Sequence, residues 1–264
     1  MAQCETSILD PSPSPLPARL VHGDLVPYPF VREADVMWSK RIWRVLDLRE
    51  KLNQPLYYPL IPNADRKSMW DAIYCAIKTH EIMIYQASPF DNDNSFQVQM
   101  TRTEADSALL KFITITDSNG GSSMQSEHLE SSDIVKYMLK EDWFFDKQRS
   151  VMDVRILGIC PFKKVYDQNG GEVPGGYSMM FWIYYPSIRP IFAHTQVFNP
   201  HNDFECRSLD EIFMKRMFSS YIIQESNVFN RAIADYATNP MDALMEGEAI
   251  KNKIFTLEND MWQY

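Results

Sequence analysis

Ala34-Asp-Val-Met-Trp-Ser-Lys-Arg-Ile-Trp-Arg-Val-Leu-Asp-Leu-Arg-Glu-Lys-Leu-Asn53 is the longest regularly patterned stretch of the chain. At 100° per residue, Trp38, Ile42, Val45, Leu46, Leu48 and Leu52 share one face. That spacing predicts a long helix from about Ala34 to Asn53, stopped before Pro55 because the residue ahead of a proline is pushed out of the α region. Arg49 falls within the apolar face, where a guanidinium needs a carboxylate or carbonyls. Trp43 and Val36 lie on the opposite side. Either they meet a second layer of the same domain, or Trp43 anchors a partner as aromatic hot spots do.

C-terminal to this stretch, Ser68 and Asp71 form a capping box for a helix carrying Met69, Ile73, Ala76 and Ile77. Glu81–Gln86 reads as a strand, Asp91–Asn94 as a loop and Phe96–Met100 as a strand. Residues 103–112 fit either a helix or a mixture. The Ser-, Asn- and Gly-rich run 116–132 reads as a long loop, followed by a helix from Asp133 to about Lys140 capped by Ser131 or Ser132. The second half is more β-like. Val151–Ile159 is a predicted strand, and the Gly- and Pro-containing residues 167–176 are turn material. Ser178-Met-Met-Phe-Trp-Ile-Tyr-Tyr185 is apolar almost throughout and reads as a central strand, returning through Ile191–Phe198 as a hairpin. Ser208 and Glu211 form a second capping box, opening a helix to about Gln224 that is apolar nearly all round. Shorter helices at 228–237, 241–246 and 248–258 close the chain. The expected fold class is α+β, mixed helices with a small antiparallel sheet, arranged as a single domain over 31–264.

Residues 1–30 form an extended N-terminal arm in this reading. They hold six of the sixteen prolines, and alternating Pro and Ser favours extended conformations without internal hydrogen bonds. The arm is either a disordered tail or a segment that orders on a neighbouring subunit. Val26, Tyr28, Phe30 and Val31 make its second half the better candidate for ordering.

Apolar residues make up 45% of the 264, enough for a sizeable core without disulfides or metals. A net charge of -9 supplies no general positive field for a phosphate backbone, so nucleic acid is not an expected partner. No apolar run is long enough to span a bilayer as a helix. Cys4, Cys75, Cys160 and Cys206 form no CxxC pair, which excludes a zinc ribbon or a thioredoxin site. His194, His201, Asp203 and Cys206 have metal-ligand chemistry, but their spacing matches no zinc signature. Cys160 with His194 is an imaginable nucleophile pair, and Glu141 with Asp142 an imaginable acid pair. The residue-level expectation is therefore assembly rather than catalysis, with no cofactor. The runner-up is a hydrolase using His194 and its polar neighbours.

Several collinear stretches resemble the GldN/PorN family of the type IX secretion and gliding-motility apparatus. They are Ala34–Lys40 running into Trp43–Lys51, Asn53-Gln-Pro55 and Tyr57-Tyr58-Pro59; Met180–Pro186; Val197-Phe198-Asn199 with Asn202-Asp203; Glu225–Val228 with Asn230-Arg231 and Asp235-Tyr236; and Ala243-Leu244, Ile250-Lys251 and Trp262. The resemblance implies a non-enzymatic, exported protein of the periplasm, with a signal peptide removed from or left out of this chain. It implies binding to a GldK/PorK-type outer-membrane lipoprotein, many copies joined in a ring, and contact with a GldM/PorM-type inner-membrane component. On that view Asp47 and Arg49 are candidates for a structural ion pair. Trp43, Tyr28 and Phe30 are candidates for contact with the lipoprotein or a neighbouring copy.

Overall fold

In a computed structural model, residues 25–63, 66–87, 96–116, 122–166, 171–198 and 207–261 are described. The elements in chain order are β1 (Val36–Asp47), α1 (Gln54–Tyr57), α2 (Met69–Lys78), β2 (Ile84–Gln86), α3 (Arg102–Ala108), β3 (Leu110–Thr116), β4 (Ser122–His128), β5 (Ile134–Asp146), β6 (Val151–Tyr166), β7 (Glu172–Met179), β8 (Phe181–Tyr184), α4 (Tyr185–His194), β9 (Gln196–Val197), β10 (Arg207–Ser208), α5 (Leu209–Met214), β11 (Tyr221–Glu225) and α6 (Pro240–Met261). Seven strands form one antiparallel sheet in the order β11-β1-β5-β6-β8-β2, with β7 also pairing β6. β3 with β4 and β9 with β10 make two small ladders. The class is α+β.

The predicted long helix is instead β1, which pairs with β5 from Val36 opposite Asp146 to Asp47 opposite Lys136. Its β-branched and aromatic content (Val36, Trp38, Ile42, Trp43, Val45) suits a pleated, packed surface. The helical stripe misleads because every residue from Ile42 to Leu48 is buried. With both faces of the strand covered, the period-2 alternation that marks a half-exposed strand is absent.

The same reason converts the predicted helix at 133–140 into part of β5, whose burial is nearly continuous. Residues 178–198 are not a hairpin. β7 and β8 are followed by α4, with Pro186 in its first turn, where the missing N–H costs nothing, and Ile188, Arg189, Phe192 and Ala193 on its buried face. The helix opened by Ser208 ends at Met214, and the chain turns through Arg216 (φ 52°) into β11. The three short C-terminal helices resolve into a 3-10 turn at Ile233–Asp235 and one continuous α6. Residues 103–112 contain the end of a helix and the start of a strand, and 116–132 carries β4 rather than a featureless loop. The capping boxes of α2 and α5, and a strand from Val151, are present as read.

Three clusters hold the sheet. Leu46, Tyr137, Leu139, Ile159, Phe181 and Ile183 pack against α2, α4 and α5 through Trp70, Ile73, Ile188 and Phe213. Phe192 and Phe213 stack at 5.9 Å, with Tyr185 edge-on to both. Farther along β1, α6 lays Ile250 and Ile254 on Ile42 and Ile222. The third cluster joins Trp43, Cys160 and Trp182, with Phe96 and Met138 against them.

Candidate functional site

β1 and β11 lie side by side at one margin of the sheet, and β11 feeds the loop 226–232. The Asn227 side chain makes four of the hydrogen bonds that shape that loop. Its Nδ2 donates to the carbonyls of Glu225 (3.0 Å) and Arg231 (2.8 Å), and its Oδ1 accepts from the N–H groups of Phe229 and Arg231 (3.1 Å each). The two residues held at the tip are apolar and bare: Val228 is 98% exposed and Phe229 72%. Arg231 lies 4.5 Å from the Phe229 ring centroid and backs it from one side. Buried apolar residues need no explanation, but a hydrogen-bonded loop that presents two apolar side chains to water does. In the sequence, 228–237 reads as a short helix, so the tip is missed. The available signal was Asn227, since Asn side chains bond their own backbone two residues on and form such turns.

Beside the tip lies a cleft of about 340 Å³ lined by Ser39, Lys40, Arg41, Trp43, Asp142, Ser226, Asn227 and Asn230. Arg41 grips Asp142 with two hydrogen bonds, 2.7 and 3.0 Å. Trp43 contributes to this cleft from below. Only 4% of its surface is exposed, and it packs with Cys160 and Trp182. As folded, Trp43 is a core residue flooring the cleft rather than a side chain projecting from the surface.

Asp47 and Arg49 stand at the end of β1. Arg49 donates Nε to Asp47 Oδ1 (2.9 Å) and Nη2 to Oδ2 (2.6 Å), and its backbone N–H also reaches Oδ1 (3.0 Å). Burial works against the Asp47 carboxylate, but the hydrogen bonds and charge of Arg49, with Lys136 3.7 Å away, hold it below the usual carboxylate range. The pair is not made across a helix face. It closes a turn, and Arg49 is largely in solvent. Leu48, Arg49, Tyr57, Tyr58, Lys164 and Tyr177 share a neighbouring cavity of about 280 Å³.

Tyr28 and Phe30 part company. Tyr28 is half-buried against Arg189 and Arg155 of its own chain, whereas Phe30 is 87% exposed. Residues 1–24, and with them the Pro11–Pro17 portion of the arm and Cys4, lie outside the described residues, as do Asp91–Asn94, His201, Asp203, Cys206 and Trp262.

The residues weighed for catalysis each have a different setting. Cys160 is fully buried, and burial pushes its thiol up to about 12. His194 is exposed at the end of α4, with Nδ1 2.7 Å from the Pro190 carbonyl. Glu141 is sealed in the sheet and bonded to Arg216 and Trp143, while Asp142 is taken by Arg41. Among the described residues no group of three or more His, Cys, Asp or Glu is placed to hold a metal ion, and no helix is long and apolar enough to cross a membrane.

No curated protein matches the chain. A family model described as "Gliding motility associated protein GldN" matches residues 31–263, nearly the whole length and every element of the sheet. The chain therefore belongs to the GldN family, and is a component of the gliding-motility and type IX secretion machinery.

Proposed function

We propose that this chain is a non-enzymatic structural subunit of the periplasmic ring of that machinery. It binds a GldK/PorK-type outer-membrane lipoprotein, is held at the outer membrane through it, and faces a GldM/PorM-type inner-membrane component. Copies of the chain pack beside one another by heterologous contacts that close by rotation. The observation that carries this reading is the family match over 31–263. The clamped Val228–Phe229 tip supports it, because a tip fixed before binding loses little conformational freedom when a partner covers it. We assign the tip to the lipoprotein, and Tyr28 and Phe30 to a neighbouring copy. Trp43 serves the interface from beneath, by supporting the cleft at the base of the tip.

Co-expression with the lipoprotein, followed by size-exclusion chromatography with mass measurement, tests the reading. The expected result is a complex of many copies of both chains. Elution of this chain by itself, with the lipoprotein folded and present in excess, refutes it.

A further inference from the structure

We propose that the slot around Arg189 is a receptor for residues 26–30 of a second copy of this chain, so that neighbouring subunits exchange N-terminal segments. This deepens the ring reading by naming one copy-to-copy contact, and it rests on that reading for the presence of neighbours.

The slot is built on a buried ion pair. Arg189 is only 3% exposed. It donates Nε to Asp210 Oδ1 (2.9 Å) and Nη2 to Oδ2 (3.0 Å), and the Tyr185 hydroxyl donates to the same carboxylate (3.0 Å). An Arg–carboxylate pair taken out of water is costly to assemble and stays in place only when its remaining donors are used. Here they are used on the N-terminal segment. Nη2 also donates to the Val26 carbonyl (2.8 Å), and the guanidinium lies 4.2 Å from the centroid of the Tyr28 ring. Arg155 sits 5.4 Å from the same centroid and donates to the Pro29 carbonyl. Recognition thus consists of one aromatic ring held by two cations and two main-chain carbonyls.

The occupant has the properties of a transferable ligand. Pro27 and Pro29 flank Tyr28, fix their own φ and keep the segment extended before it binds. Neither proline has an N–H to leave unpaired when the segment lifts. Residues 25–32 join no helix or strand, and the next fixed point is the turn Glu33–Asp35, where the Asp35 carbonyl accepts from the N–H of Lys147. Leu25, Val26 and Phe30 remain exposed while Tyr28 is docked, so the body of the chain covers little of the segment besides that ring. Every contact the slot makes is offered equally by a neighbour's segment. In an isolated chain the short tether favours the segment's own slot; in a packed ring a neighbour's segment reaches a comparable effective concentration. Exchange of an identical segment creates an inter-subunit link without new surface having to evolve.

Two measurements test this on the full chain. In the first, a fluorescent peptide of residues 25–33 is titrated into the Tyr28→Ala protein, whose own segment has lost its ring. Saturable binding is expected, at least tenfold weaker for the peptide that itself carries Tyr28→Ala; absence of binding, or indifference to the ring, overturns the proposal. In the second, Phe30, which is exposed, is replaced by photo-reactive benzoylphenylalanine in protein co-expressed with the lipoprotein. Crosslinks of two-chain mass, mapping near Arg155 or Arg189, are expected. Large complexes whose crosslinks all lie within one chain sink the exchange and leave the ring reading standing. Failure to form large complexes counts against the ring itself, and the peptide titration then decides whether the slot accepts a segment in trans.

Discussion

Asn53 is fully buried and ties the end of β1 to the approach of β11. Its Nδ2 donates to the carbonyls of Asp47 (2.7 Å) and Ser219 (2.9 Å), and its Oδ1 accepts from the Ser219 N–H (2.8 Å). Asn53→Ala removes three hydrogen bonds, and only the Asp47 carbonyl keeps another donor, the Glu50 N–H at 3.3 Å, so we expect a loss of about 3 kcal/mol in urea unfolding. The neighbouring Asp47 gives a pH-dependent case. Its native carboxyl lies below the ordinary value, so its contribution is fully present above about pH 4 and is lost as pH falls through the lowered native value. Asp47→Asn, which keeps the shape but replaces charge-assisted bonds by neutral ones, should cost about 1–2 kcal/mol at pH 7. The gap between the two proteins should close on acidification; a gap that persists at pH 2 contradicts the ion-pair account. At this scale the sequence is partly legible. Asp47 and Arg49 do pair two residues apart, but Arg49 stands largely in solvent and not in the apolar face a helix would have given it, so the reason for expecting the pair does not hold. The pairing of Arg41 with Asp142 and of Arg216 with Glu141 crosses 101 and 75 residues. No local pattern encodes such pairs, because they depend on which strands lie side by side.

Helix α6 meets the sheet at Gly247, where a Cβ would stand 2.8 Å from the Ile222 carbonyl oxygen of β11. Two effects compete in Gly247→Ala. Alanine gains about 1 kcal/mol of helix propensity. A contact that close to rigid backbone forces the helix outward and loosens Ile250 and Ile254 from Ile42 and Ile222, costing typically 1–3 kcal/mol. The clash is expected to win, giving a lower melting temperature; a higher one would mean that α6 already has room to move. The elements also show where sequence reading fails. α2 and α5 were legible because a capping box is a local chemical event: Ser68 and Ser208 accept from the N–H of Asp71 and Glu211. β1 and β5 were not, because Lys140 and Glu141 are buried in the middle of β5. Charged residues at a sheet's centre break the apolar run by which a doubly covered strand is recognised, and charges spaced among aliphatic residues imitate an amphipathic helix. α4 spans residues that the sequence reads as the end of one strand, a turn and the start of the next from Ile191. Pro186 sits in the first turn, and the helix continues past Pro190 on the strength of Ile188 and Phe192 packing beneath it.

At the scale of the whole molecule, α2, α4 and α5 pack on the sheet through one cluster and α6 through another, while the loop after β11 leaves Val228 and Phe229 exposed. A flexible loop with two bare apolar residues would lose on binding much of what their burial gains. The four hydrogen bonds of Asn227 remove that penalty in advance, so in the proposed contact with the lipoprotein the burial of Val228 and Phe229 would contribute almost undiminished. Aromatic residues at the centre of an interface commonly cost 2 kcal/mol or more when truncated. Phe229→Ser should therefore weaken lipoprotein binding by about 30-fold, and adding Val228→Ser should deepen the loss. Both side chains are in solvent in the isolated chain, so neither change should move its melting temperature. Phe255→Ser, at a comparably exposed aromatic on α6, separates a general loss of surface hydrophobicity from loss of the tip. Asn227→Ala should give an intermediate binding defect with the apolar groups intact, because it frees the loop and restores the ordering cost. Equal effects of Phe229→Ser and Phe255→Ser would show that the tip holds no special place, and the lipoprotein contact would then have to be sought on another surface. A full effect of Phe229→Ser with none from Asn227→Ala would keep the contact and discard pre-organisation as its cause.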